Sequence, residues 1–129
     1  MKVITWNIRG LNIPRKKRIL RSRLKQEQLD LCFIQETKCN ADRMEIISQQ
    51  QWHKYKMVAI GGHQMVGGIL TLWNPQVLSL IAAEATRHTL TVCMQLIGNT
   101  EVILCTNMYG PRVSEDRRGM IRDLEDLKN

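Results

Sequence analysis

The sequence predicts an α/β fold in which a mixed sheet is flanked by helices, within one continuous domain of 129 residues. Two observations predict this class. Short β-branched and aromatic runs alternate with amphipathic stretches up to Gln50, and further short apolar runs follow between Gly, Asn and Pro turn signals. Because 43% of the residues are hydrophobic and 24% are charged, the composition is that of a folded protein, not of a disordered one.

The amino-terminal region predicts a βαβ unit. Residues Lys2 to Trp6 form a short strand pattern that stops at Asn7, and Pro14 stands where a proline opens a helix. A nearly continuous apolar run follows from Leu29 to Ile34, as in a strand covered on both faces. We predict a helix over Pro14 to Glu27 between two parallel strands. Its apolar stripe is predicted to consist of Ile19, Leu20 and Leu24.

The rest of the chain predicts a short helix and then consecutive antiparallel strands. The helix is expected near Ala41 to Gln50, and Ser114 is a plausible amino-terminal cap for a last helix. That last helix would have Met120, Ile121, Leu124 and Leu127 at helical spacing. The strands are expected at Tyr55 to Ile60, Gly67 to Trp73, Val77 to Ala83, Thr89 to Ile97 and Glu101 to Met108.

The charge of the chain favours a polyanionic partner. Its net charge is +7, and no acidic residue precedes Glu27, whereas nine Lys and Arg residues lie in that stretch. A solvated helix face is the alternative interpretation for single residues of this stretch. We predict nucleic-acid contacts at Arg9, Asn12, Arg15, Lys16 and Lys38.

The cysteines and the apolar runs bound the compartment. The cysteines have no Cys-Xaa-Xaa-Cys pair, so reduced thiols are predicted at Cys32, Cys39, Cys93 and Cys105. No apolar run is long enough to cross a bilayer, and the first residues lack the pattern of a signal peptide. We therefore expect an intracellular protein that is neither secreted nor bound to a membrane.

Three polar residues follow predicted strands and are candidates for chemistry: Asn7, Glu36 and Tyr109. Ligands of α/β sheets bind at the carboxyl ends of strands. A carboxylate such as Glu36 suits a hard cation, and the carboxamide of Asn7 and the hydroxyl of Tyr109 suit a phosphate or its attacking water. A single Glu at a strand end is, however, most often only a solvated terminus.

Four short motifs occur in an order that resembles a known family. They are Trp6 to Asn12, Phe33 to Lys38, Gly67 to Trp73, and Thr106 to Pro111. Together they resemble the amino-terminal half of the endonuclease/exonuclease/phosphatase superfamily, whose fold is of the DNase I-like, two-sheet type. Within it, the apurinic-type endonuclease domains of LINE-type retrotransposons are the most similar.

The resemblance implies a metal-dependent endonuclease. By this resemblance Glu36 is the metal-binding glutamate, Asn7 lies in the phosphate and metal pocket, and Tyr109 contacts the scissile phosphate. Mg²⁺ or Mn²⁺ is the implied cofactor, and DNA is the implied substrate, which favours a nuclear location. The pair Gly67-Gly68 matches a structural glycine turn.

The family's second half supplies a Gly-Asp-Xaa-Asn motif and a Ser-Asp-His motif, and neither occurs in these 129 residues. His53, His63 and His88 lie in other contexts and are interpreted as surface or strand residues. We therefore expect residues 1–129 to be a truncated domain that hydrolyses poorly by itself and self-associates through an exposed apolar sheet face. A non-catalytic nucleic-acid-binding module and an inactive remnant are the alternatives.

Overall fold

A computed structural model of the chain describes residues 1–63 and 66–109. These residues form two helices and seven strands. In chain order they are β1 (Val3–Asn7), α1 (Pro14–Gln26), β2 (Leu31–Gln35), α2 (Ala41–Gln51), β3 (Lys56–Ile60), β4 (Ile69–Trp73), β5 (Leu78–Ala85), β6 (Thr89–Leu96) and β7 (Val102–Met108). Each bound of these helices and strands lies within two residues of the predicted one. The predicted helix after Ser114 lies outside the described residues.

The strands divide between two sheets. The first has the order β1-β2-β4-β3, in which β1 and β2 are parallel and the other neighbours are antiparallel. The second is the antiparallel sheet β5-β6-β7. The predicted βαβ unit is thus confirmed. The predicted run of antiparallel strands passes from the first sheet to the second at a turn in which the backbone N–H groups of Val77 and Leu78 donate to the carbonyl of Asn74.

The layers are helices, first sheet and second sheet. One core cluster lies on the helical side of the first sheet and includes Leu20, Ile34, Ile47 and Leu72. A second cluster lies between the sheets. It contains Leu31, Trp73, Leu78, Val92 and Met94, with Phe33, Val58, Ile103 and Cys105 packed against it. The mixed α/β class with two sheets agrees with the prediction.

Helix α1 begins at Pro14 as predicted and has no side-chain cap. Leu20 and Leu24 are buried, but Ile19 is 41% exposed, so its assignment to the buried stripe was wrong. Ile19 precedes Leu20 by about 100° around the helix, which turns it away from the sheet. Helix α2 is capped by Asn40, whose Oδ1 accepts a hydrogen bond of 2.8 Å from the backbone N–H of Arg43.

Four free cysteines agree with the predicted reduced thiols, two of them buried and two half-buried. The inner faces of the two sheets cover each other around the second core cluster. The exposed apolar side chains of the second sheet include Ile81, Val102, Met108 and Leu104, of which Leu104 is 73% exposed. Neither α1 nor α2, the helices of the described ranges, has the length and apolarity needed to span a membrane.

Candidate active site

The loops that follow β1 and β2 extend the parallel pairing of these strands. The backbone N–H of Gly10 donates to the carbonyl of Glu36 over 2.9 Å. The N–H of Leu11 donates to the carbonyl of Thr37 over 2.8 Å. These bonds hold the two strand ends side by side, so Asn7 and Glu36 are presented from neighbouring segments of backbone.

Left-handed backbone is concentrated in these two loops. Arg9 has a φ of 52°, Glu36 of 52° and Lys38 of 57°. Each such conformation costs a non-glycine residue about 1–2 kcal/mol, and it persists only where the surrounding contacts impose it. Backbone strain of this kind clusters at functional sites, so it marks the same end of the sheet as the strand-end residues do.

Glu36 is a largely buried residue at the end of this paired loop. It is 8% exposed, and within residues 1–63 and 66–109 its carboxylate accepts no hydrogen bond and forms no ion pair. The carboxamide of Asn7, at the end of the adjacent strand, is exposed. A carboxylate and a carboxamide oxygen fit Mg²⁺, which binds oxygen ligands and retains several waters. No group of three or more His, Cys, Asp or Glu side chains able to hold a metal occurs among the described residues.

Tyr109 reaches the same loops from the second sheet. The backbone N–H of Thr37 donates to the carbonyl of Gly68 over 3.2 Å, and that of Lys38 to the carbonyl of Gly67 over 2.8 Å. A Cβ added to Gly67 would lie 3.8 Å from Cε1 of Tyr109, so the aromatic ring packs beside this glycine. The glycine pair therefore lies between the Glu36 loop and the Tyr109 ring.

A polar pair below these loops, made by half-buried Gln35 and buried Asn107, joins the two sheets. Nε2 of Gln35 donates to Oδ1 of Asn107 over 2.8 Å and to Oγ1 of Thr5 over 2.9 Å. Asn107 is two residues before Tyr109, and Gln35 directly precedes Glu36. Sequence reasoning did not single out Asn107, although a polar residue in the apolar run before Tyr109 was the available signal.

The basic candidates have different surroundings. Arg9 and Arg15 are exposed. Nζ of Lys16 donates to the carbonyls of Ile8 and Arg9 over 2.5 and 2.9 Å, so this ammonium group holds the loop after β1. Oδ1 of Asn12 accepts from Nη2 of Arg43 over 3.0 Å. Their predicted contacts with nucleic acid stay predictions, as does that of Lys38.

His88 was interpreted as a surface or strand residue, and its environment differs from a surface. It is 4% exposed, and in the described part of the chain neither ring nitrogen has a hydrogen-bond partner. Its carbonyl accepts from the backbone N–H of Tyr109 over 3.0 Å, which places His88 opposite Tyr109 across β6 and β7. His53 and His63 are exposed, as interpreted.

The thiol nearest these loops is not an anionic nucleophile. Burial raises the pKa of Cys39, and the nearby charge of Arg43 opposes that effect only in part. A thiol with a raised pKa is neutral at physiological pH, and the thiolate is the reactive form. Cys39 is therefore not a candidate nucleophile at this end of the sheets.

Comparison with known proteins identifies the fold. The sequence model of the "Endonuclease/Exonuclease/phosphatase family" matches residues 4–127. An AP endonuclease from Leishmania major has a TM-score of 0.68 and 19% identity over 91% of this chain and 43% of that chain. TDP2 from D. rerio, complexed with a single-strand DNA product, has a TM-score of 0.66 and 15% identity over 98% of this chain and 54% of that chain.

A mannosyl-6-phosphatase from Bacteroides thetaiotaomicron has a TM-score of 0.70 and 10% identity, over 97% of this chain and 59% of that chain. No curated protein sequence matches this chain. At these identities the structural likenesses establish the DNase I-like fold alone. The chain spans about half the length of these structures.

Proposed function

Since this chain belongs to the endonuclease/exonuclease/phosphatase family, we propose that it is a phosphodiesterase-type domain that contributes to metal-dependent hydrolysis of nucleic-acid phosphodiesters. The observation that carries the proposal is Glu36, which is 8% exposed, has no protein partner within the described residues, and directly follows the strand residue paired with Asn7. Its carboxylate oxygens are therefore available to a cation.

In this proposal Glu36 and Asn7 hold Mg²⁺ or Mn²⁺, which would offset the charge that develops on the phosphate and its leaving oxygen. Tyr109 hydrogen-bonds a non-bridging phosphate oxygen through its hydroxyl. Arg9, Lys38 and Arg15 attract the neighbouring phosphates of the backbone. Asn12 and Lys16 complete the proposed nucleic-acid surface, with Lys16 fixing the loop that carries Arg9.

DNA is the proposed substrate. The net charge of +7 favours a polyanion, and similar folds include an AP endonuclease and TDP2 in complex with a single-strand DNA product. We further propose an origin in a LINE-type retrotransposon and a nuclear site of action, on the motif resemblance.

Residues 1–129 are proposed to carry the amino-terminal part of the site. The Gly-Asp-Xaa-Asn and Ser-Asp-His motifs that the family resemblance implies do not occur in them. Such groups orient the attacking water and stabilise charge, and each raises the reaction rate by about 10²-fold or more. We therefore propose that efficient hydrolysis requires these groups in addition to the residues of this chain.

Nicking of supercoiled plasmid tests the proposal. Purified residues 1–129 are incubated with Mg²⁺ beside Glu36→Ala, with a complete AP endonuclease as the positive control. Weak nicking that requires both Mg²⁺ and Glu36 supports the proposal. Equal nicking by wild type and Glu36→Ala identifies a contaminating nuclease and contradicts it.

A non-catalytic binding module is the second candidate, favoured by the charge of α1. Arg15, Arg18 and Lys25 are exposed. Arg23 forms an ion pair of 3.2 Å with Glu27. DNA binding by such a module weakens steeply with salt and is indifferent to Glu36→Ala. A salt titration of DNA affinity for both proteins separates the candidates.

We also propose self-association through the outer face of the second sheet, where Ile81, Val102 and Leu104 are exposed. Apolar patches of this kind mark interaction surfaces. Sedimentation of wild type beside Leu104→Lys tests this, since the charge would shift the protein to a monomer. A wild-type monomer at all concentrations would contradict it.

A further inference from the structure

Asn107 is a buried polar residue of the second sheet whose side chain is bonded entirely to the first. It is 2% exposed and lies on β7, two residues before Tyr109. Oδ1 accepts a hydrogen bond of 2.8 Å from Nε2 of Gln35. Nδ2 lies 3.1 Å from the carbonyl oxygen of Leu70 and 3.2 Å from Oγ1 of Thr71. A longer contact of 3.4 Å reaches the carbonyl of Ile34.

These bonds connect three strands at the end where the candidate site lies. Ile34 and Gln35 end β2 directly before Glu36. Leu70 and Thr71 lie on β4, shortly after the Gly67-Gly68 pair. Asn107 contacts both β2 and β4. It therefore fixes β7 to the first sheet beside the end of β2 that precedes Glu36 and the start of β4 that follows the glycine pair.

The apolar cluster between the two sheets lies toward the other ends of β2 and β4, where Leu31 pairs with Trp73. It consists of Leu31, Trp73, Leu78, Val92 and Met94. A carboxamide in such a layer contributes directional bonds that an apolar side chain lacks, and these fix the register and separation of the strands it joins. Packing alone would tolerate small shifts of β7 along the first sheet.

We propose that Asn107 is a positioning residue that holds Tyr109 at a fixed place relative to Glu36, so that both groups reach one phosphate. This inference rests on the proposed function and adds to it the group that sets the geometry between the metal ligand and the phosphate-contacting tyrosine. Asn107 itself is covered by the sheets and touches neither the metal nor the substrate.

The test measures how strongly metal and DNA binding are coupled. The affinity of the protein for a short DNA duplex is determined without and with Mn²⁺, and the ratio of the two dissociation constants is the coupling. The affinity for Mn²⁺ alone is measured separately. The variants are Asn107→Leu, which keeps the volume but loses the bonds, and Leu78→Ala, which weakens the packing between the sheets but leaves the bonds of Asn107 intact.

For Asn107→Leu the coupling ratio falls about tenfold, because displacement of positioned groups costs on the order of 10- to 100-fold. Its affinity for Mn²⁺ alone and for DNA alone is expected to match wild type. The coupling ratio of Leu78→Ala stays at the wild-type value, with circular dichroism establishing that both variants are folded.

Three results would overturn the inference. The first is an unchanged coupling ratio in folded Asn107→Leu, and the second is an equal fall of the ratio in Leu78→Ala. The third applies if Asn107→Leu does not fold. In that case Gln35→Leu and Thr71→Val, each of which removes one bond of Asn107, would retain the wild-type ratio. A wild-type protein that shows no coupling at all contradicts the proposed function instead, so the two failures are distinguishable.

Discussion

Oγ1 of Thr37 fills the space that a Cβ of residue 68 would require, so Gly68 is the side-chain-free partner against which the Glu36 loop packs. The backbone of Thr37 also donates to the carbonyl of Gly68 over 3.2 Å. Gly68 has a φ of 96°, a conformation that favours glycine. The loop that carries Glu36 therefore depends on a glycine at this position for two physical reasons.

Gly68→Ala is expected to destabilise the protein more than Gly98→Ala. Gly98 has a similar φ of 92° with no atom within 4 Å of an added Cβ, so its substitution costs only the backbone strain of about 1–2 kcal/mol. At Gly68 overpacking adds about 1–3 kcal/mol. Urea denaturation measures both losses. A Thr37→Ala, Gly68→Ala double variant should recover part of the difference, and equal losses in the two single variants would contradict the packing argument.

His88→Leu is expected to leave stability unchanged or to raise it by about 1 kcal/mol. The buried imidazole has no hydrogen-bond partner in residues 1–63 and 66–109 and has lost its bonds to water, and an apolar side chain of similar size removes that penalty. Thermal unfolding beside His53→Leu, an exposed control, measures the effect. A loss of several kcal/mol in His88→Leu alone would indicate that the imidazole has a partner.

Lys16→Met is expected to lower stability by about 1–2 kcal/mol, because the carbonyls of Ile8 and Arg9 lose a charged donor. Arg15→Met, at an exposed neighbour, should leave stability unchanged and only weaken DNA binding. Chemical denaturation and a salt titration of DNA affinity give the two readouts. If both variants retain wild-type stability, the ammonium group does not hold the loop.

The stability of the fold is expected to fall between pH 9 and about 12 through Cys32. Burial raises the pKa of this thiol to about 12, and the charge of Arg23 opposes that effect only in part. In the unfolded chain the Cys32 thiol ionises near pH 9. Above this pH the unfolded chain therefore binds fewer protons than the folded chain, and unfolding is favoured.

The contribution of Cys32 to stability is complete below pH 9 and declines by at most about 1.4 kcal/mol per pH unit above it. Cys32→Ala should be less stable than wild type at pH 7 because of the cavity, but its stability should decline less between pH 9 and 11. Urea titrations at several pH values test this, and parallel curves for the two proteins would contradict it.

Local patterns in the sequence were sufficient for most elements. The β-branched run before Asn7 and the proline at position 14 determine where β1 ends and α1 begins, because these signals act over a few residues. The division into two sheets was not predictable in this way. The placement of β4 between β2 and β3 depends on pairing between distant segments, which alternation of apolar residues does not encode.

The candidate site was likewise predictable only in part. Asn7, Glu36 and Tyr109 became candidates because each stands at the end of a predicted strand, a property visible in the sequence. Asn107 was missed because its partner Gln35 is 72 residues away, and Lys16 was assigned to nucleic acid because carbonyl partners cannot be read from residue type. Their roles in binding and chemistry remain predictions.

That Glu36 binds the metal is tested most directly by NMR. Mn²⁺ is added to wild type and to Glu36→Gln, and the paramagnetic broadening of backbone amide signals shows where it binds. Glu36→Gln keeps the shape of the side chain and removes its charge. Wild type should show broadening at the amides around Asn7 and Glu36, and Glu36→Gln should show little or none. Broadening centred elsewhere, or unchanged in Glu36→Gln, would show that Glu36 does not bind the metal.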